Sequence, residues 1–183
     1  MNARALAAFE AALAAQPNLT PALKGASEAA FRMGQYLVAR HYLLPLVAQD
    51  PNDESSLEML NLCELVVKLD PFSRGLTSRE RARRAMHDLQ LALARAQKCG
   101  VPGMRPATQT TSSSSASDLS SLLAQADSRK PAMSERVLSA DPKALDSTMD
   151  LAFKLEKASA QCAPASLEDK ALGLLAQQPE PPQ

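Results

Sequence analysis

Three cysteines and two histidines are the side chains of this 183-residue chain best able to attack a substrate, ligate a metal or change redox state. Cys63, Cys99 and Cys162 show no Cys-x-x-Cys spacing and have no histidine at ligand distance, so a zinc site is not expected. Cys63 lies among Leu60, Leu62, Val66 and Val67, a setting in which a lone cysteine acts as a small buried hydrophobe. Cys99 and Cys162 differ, because each closes a long helical segment just before a Gly or Pro turn. Parallel or crossed packing of those segments would bring the two sulfurs together, whereas antiparallel packing would leave two unrelated buried thiols. Both readings stand. A disulfide there would be worth about 4 kcal/mol in the chain-entropy treatment and would imply an oxidising compartment. His41 and His87 have no acidic or cysteine partner at metal spacing and read as surface or boundary residues. No Walker loop, His-Glu-x-x-His pair or Gly-x-Ser-x-Gly elbow occurs. The expectation is a protein that is not an enzyme, with no catalytic residue, cofactor or metal. A thiol-based enzyme or redox switch is the disfavoured alternative.

Arg79, Arg81, Arg83 and Arg84 form the densest basic cluster. They open a helical segment, where the macrodipole makes cations mildly unfavourable. An acidic-peptide or phosphate contact is one reading. A solvated face partly balanced by Glu80 is favoured over it, since no aromatics interleave the arginines. Twenty basic and twenty acidic residues cancel, which argues against nucleic acid as the partner of the whole chain. No run of about 18 apolar residues exists to span a membrane. The first twenty residues, amphipathic and carrying Glu10, do not read as a signal peptide.

The elements that would position these residues are helical. Alanine and leucine dominate the apolar content, and aromatics reach only 3%, which together predict an all-α fold. Residues 3–15 form a first helix with Leu6, Phe9 and Leu13 on one side. Thr20-Pro21 reads as an N-cap and first-position proline opening a second helix to about Met33. Gly34-Gln35 turns the chain into a third helix, Tyr36–Gln49, where Pro45 predicts a kink or a change of path. After Asp50–Asp53 comes a fourth helix, Glu54–Leu69. Residues 77–99 form the longest segment, with Thr77 and Glu80 at capping-box spacing. Ala82, Ala85, Met86, Leu89, Ala92, Leu93 and Ala96 mark its apolar face. Residues 101–117 turn to Pro, Gly, Thr and Ser and read as a flexible linker. Short helices near Asp118–Ala126 and Ser134–Leu138 follow it. Then come a long helix opened by Asp141-Pro142, with Leu151, Leu155, Ala158 and Cys162 on one face, and a last helix over Ser166–Ala176.

Pro17-Asn18 recurs as Pro51-Asn52, a spacing of 34 residues, and Ala5, Phe9, Ala12 and Leu23 recur at that shift as Ala39, Leu43, Leu46 and Leu57. A fixed period of this size marks stacked helix pairs, none of which buries its apolar face alone. Ala5, Phe9, Ala12 and Pro17, then Leu23, Ala26, Ser27, Ala30, Ala39, Leu43, Leu46 and Pro51, resemble the tetratricopeptide repeat. Leu57 and Leu60 begin a third unit, in which Asn61 and Glu64 depart from the pattern and no closing proline falls on schedule. The resemblance implies helical hairpins of an α-solenoid over residues 1–99. Beyond a linker at 100–117, it leaves a small helical segment at 118–178 and a frayed tail at 179–183. It also implies a concave groove lined by Lys24, Glu28, Phe31 and Arg32 of one unit and Glu58 and Leu62 of the next, beside Leu65 and Val66.

The function this implies is a scaffold or protein–protein interaction module that holds a partner peptide or helix. The alternative is a structural end-piece that caps a longer superhelix and has no ligand. Because the chain opens on a second helix whose Leu6, Phe9 and Leu13 would be poorly covered, the C-terminal part of a longer bacterial repeat protein is expected, with upstream repeats as a further partner. Without a targeting segment the compartment is cytoplasmic by default, or periplasmic for a part of an exported parent.

Overall fold

The computed structural model describes residues 1–99, 113–160 and 164–178. Among the described residues every regular element is helical and there is no strand. The helices are α1 (Asn2–Ala15), α2 (Thr20–Arg32), α3 (Tyr36–Gln49), α4 (Glu54–Leu69), α5 (Ser78–Cys99), α6 (Ser113–Arg129), α7 (Glu135–Ala140), α8 (Pro142–Ser159) and α9 (Leu167–Leu175), with a 3-10 turn at Lys130–Ala132. They gather into two compact units, Met1–Lys68 and Leu69–Gln183. The division thus falls before α5 rather than after Cys99. The reason is the stripe Ala82, Ala85, Leu89, Ala92 and Ala96 of α5, buried in the packing of this helix on α7 and α8.

In the first unit α1 packs on α2 and α2 on α3. Leu23, Ala26, Ser27, Ala30, Ala39, Leu43 and Leu46, which carry the 34-residue pattern, are all buried. Gly34 closes α2 at φ 71°, a left-handed conformation that only glycine adopts at low cost, and the Gln35 amide returns to the Ala30 carbonyl at 3.0 Å. Gly25 matters for a different reason. A Cβ there would stand 2.2 Å from Phe9 Cζ, so the missing side chain is what admits the Phe9 ring against α2. Leu6 is buried and Phe9 and Leu13 are half-buried, so the apolar side of α1 is better covered than the sequence suggests. Ala5, by contrast, is exposed, as are Asn61 and Glu64 of α4.

Helix starts are set locally. Thr20 is not a cap: Leu19 takes that position, and the Thr20 hydroxyl donates to Gln49 Oε1 at 2.8 Å. Asp53 caps α4, accepting from the Ser56 amide at 3.2 Å and its hydroxyl at 2.8 Å. Thr77 accepts from the Glu80 amide at 3.2 Å, while the Glu80 carboxylate turns to Arg84. Asp141 caps α8 with Pro142 at its first position, and Ser166 with Asp169 forms a reciprocal capping box on α9. α3 runs through Pro45 unbroken.

The second unit is built around α5. Its closest partner is α8, with Leu145, Met149, Ala152 and Leu155 buried, and α7 and α9 add Leu138, Ala171, Leu172 and Leu175. Arg95 meets Glu156, and Cys99 meets Ser159, so the two long helices run in the same direction at their C-terminal ends. The linker expected at 100–117 is shorter at its far end, because α6 already begins at Ser113. No Gly or Pro interrupts Ser113–Arg129, so helix extends through the serines. Residues 100–112 and the tail at 179–183 lie outside the described residues.

Candidate functional site

The six residues expected to line a groove fall on two helices of the first unit. Lys24, Glu28, Phe31 and Arg32 share one face of α2 by their 4, 3 and 1 spacing, and Glu58 and Leu62 lie one turn apart on α4. A tie joins the helices at one end: Lys24 Nζ donates to Asp53 Oδ2 at 3.1 Å. Its hydrogen bonds to Ser56, followed by that to Lys24, hold the Asp53 carboxyl down at about 2. Asp53 is therefore an ionised counter-charge at any ordinary pH. On the same face Arg32 pairs with Glu28 at 3.6 Å. Phe31 and Leu62 are half-buried, and the Phe31 ring meets Tyr36 edge-on with centroids 5.4 Å apart. Leu65 is half-buried and Val66 belongs to the core. The face therefore presents apolar edges between charges that already answer one another.

Further side-chain ties join other helices of this unit. Tyr42 donates to Glu10 at 3.0 Å, joining α3 to α1, and Arg40 meets Glu64 at 3.1 Å, joining α3 to α4. Tyr36 is buried near Cys63, and burial, then the Cys63 thiolate charge, raises its phenol above the usual range. Cys63 itself is fully buried and unbonded, and burial followed by the neighbouring Glu64 charge pushes its thiol up to about 11. Such a thiol holds almost no thiolate at neutral pH and is a poor nucleophile. His41 and His87 are exposed, and His41 stacks edge-on with Tyr42 at 5.2 Å.

The arginine cluster is largely consumed within the second unit. Arg79 and Arg83 converge on Glu135 at 3.2 and 3.3 Å, fastening α7 to α5. Arg84 Nη1 donates to the Asp70 carbonyl at 3.0 Å and its Nε approaches Glu80 at 3.5 Å. Cys99 is disulfide-bonded, and its sulfur lies 3.8 Å from the Ser159 carbonyl oxygen. Cys162, the partner expected from sequence, lies outside the described residues.

Sequence reasoning missed the buried charges of this unit. Arg95, Glu156 and Asp169 meet between α5, α8 and α9: Arg95 is ion-paired with Glu156, and its Nε lies 3.9 Å from Asp169 Oδ2. Burial raises the Glu156 carboxyl, against the opposing pull of Arg95. Asp88 is also fully buried on α5. A signal existed, since 85, 88, 92, 95 and 99 advance by three and four and place both charges within the apolar stripe.

Among the described residues no group of three or more His, Cys, Asp and Glu side chains is placed to hold a metal, and no helix is long and apolar enough to cross a membrane. Compared with protein-family models, curated proteins and solved structures, the chain matches none.

Proposed function

We propose that this chain is a non-catalytic, tetratricopeptide-like interaction module that holds a partner peptide or helix on the α2–α4 face. The observation that supports the reading is the Lys24–Asp53 ion pair, which ties α2 to the residue that caps α4. Burial of all seven pattern positions from Leu23 to Leu46 supports the repeat-like character of the hairpin. Because Lys24 and Arg32 are already answered by Asp53 and Glu28, the partner is held chiefly by apolar contact with Phe31 and Leu62, while the charges set its orientation. With both basic side chains of this face beside an acid, the partner is an amphipathic or apolar segment rather than a strongly acidic tail.

The test is selection from a displayed peptide library on the full chain, followed by affinity measurement with variants. Peptides enriched on the wild type should lose at least tenfold in affinity to K24A/R32A/L62A and keep it with L37S/L44S, which alters the exposed face of α3. Failure to enrich any sequence, or equal loss in both variants, would exclude the α2–α4 face.

A further inference from the structure

Asp88 stands at the centre of α5 with no exposed surface, and neither of its carboxylate oxygens has a hydrogen-bond partner among the described residues. An ionised carboxylate in that position would forfeit its hydration with no hydrogen bond in return, so the neutral acid is favoured there. Beside it lies a second acid. Asp70, on the turn that leads into α5, accepts from the Phe72 amide and the Ser73 hydroxyl, both at 2.8 Å. Arg84, one helical turn before Asp88, donates to the Asp70 carbonyl and pairs with Glu80.

The remaining charges of the helices packed on α5 are engaged elsewhere or exposed. Glu135 of α7 is held by Arg79 and Arg83, and Glu156 of α8 and Asp169 of α9 are held at Arg95, two turns further along. Asp127 and Arg129 of α6 are exposed. The charges acting on Asp88 are thus Asp70, which opposes its ionisation, and Arg84, which favours it.

We propose that Asp88 is a pH latch: native packing keeps it as the neutral acid, and its ionisation loosens α5 from the 70–73 turn. Loss of the proton places a buried negative charge beside that of Asp70, and separating the turn from the helix admits water to both. Burial first, then Asp70, pushes the carboxyl up to about 8. A folded-state value raised above the unfolded one gives stability that is complete below about pH 4 and drains away as pH rises to about 8.

Urea unfolding of the full chain between pH 5 and 10, wild type against D88N, tests this. Relative to D88N, the wild-type unfolding constant should rise by up to about tenfold per pH unit between pH 5 and 7 and level off above 8 to 9. Parallel curves would overturn the proposal. Should D88N not fold, the carboxyl-carbon resonance of Asp88 in the wild type decides: a midpoint near 8 supports the latch, and one below 5 sinks it. Hydrogen exchange, corrected for intrinsic rates, separates a latch from general destabilisation. Protection should fall above pH 8 in residues 70–73 and the first half of α5 and hold in α2 and α3. A uniform loss would overturn the latch.

Discussion

Arg95 is the cation that the buried Glu156 and Asp169 share. It is 5% exposed and faces Glu156 and Asp169, each brought in by a different helix. Replacing it with alanine strands the Glu156 carboxylate in the interior and leaves Asp169 only its capping contact with Ser166. R95A should therefore cost about 3–5 kcal/mol at pH 7 in urea unfolding. E156A should cost less, because Arg95 keeps Asp169. The R95A penalty should also shrink at pH 4.5, because burial raises the Glu156 carboxyl and the stranded group takes up a proton. A wild-type midpoint for R95A, or a larger loss in E156A, would refute this account of the cluster. Sequence spacing put positions 88 and 95 on the buried side of α5. It could not say which acids would meet Arg95, because Glu156 and Asp169 lie more than sixty residues away.

Helix boundaries and faces were mostly legible in the chain. The four helices of the first unit begin and end where proline, glycine and aspartate punctuate the sequence, and Asp141-Pro142 opens α8 as a capped start should. Thr20 is not the cap because α2 begins one residue earlier than expected, with Leu19 at the cap position, and the Thr20 hydroxyl instead donates to Gln49 at the far end of α3. Gly25 was unremarked in the sequence, since a glycine inside a helix looks like a small propensity loss. Its role appears only where Phe9 of α1 seats against it. G25A should gain up to about 1 kcal/mol of intrinsic helix preference and lose more than that to displacement of the ring. Thermal unfolding should show a net fall in midpoint. A rise would mean that the Phe9 ring has room to move.

At the scale of the molecule, the cysteines report how the second unit closes. Cys99 is bonded and Cys63 is free, so the denatured, unreduced chain should titrate one thiol, and three after reduction. In the native chain Cys63 should react only as fast as the first unit opens, because its thiol is buried and pushed up to about 11. Three thiols before reduction, or rapid native labelling at neutral pH, would contradict this arrangement. The amino-acid sequence by itself determined the all-helical character, the 34-residue recurrence and most helix ends, because these depend on local propensity, capping and periodicity. Tertiary structure alone decided that α5 joins the C-terminal helices, that α5 and α8 run the same way at their ends, and that Arg95 meets Glu156 and Asp169. Those outcomes turn on which distant side chains meet, and contact across sixty residues leaves no mark on the local pattern of either partner.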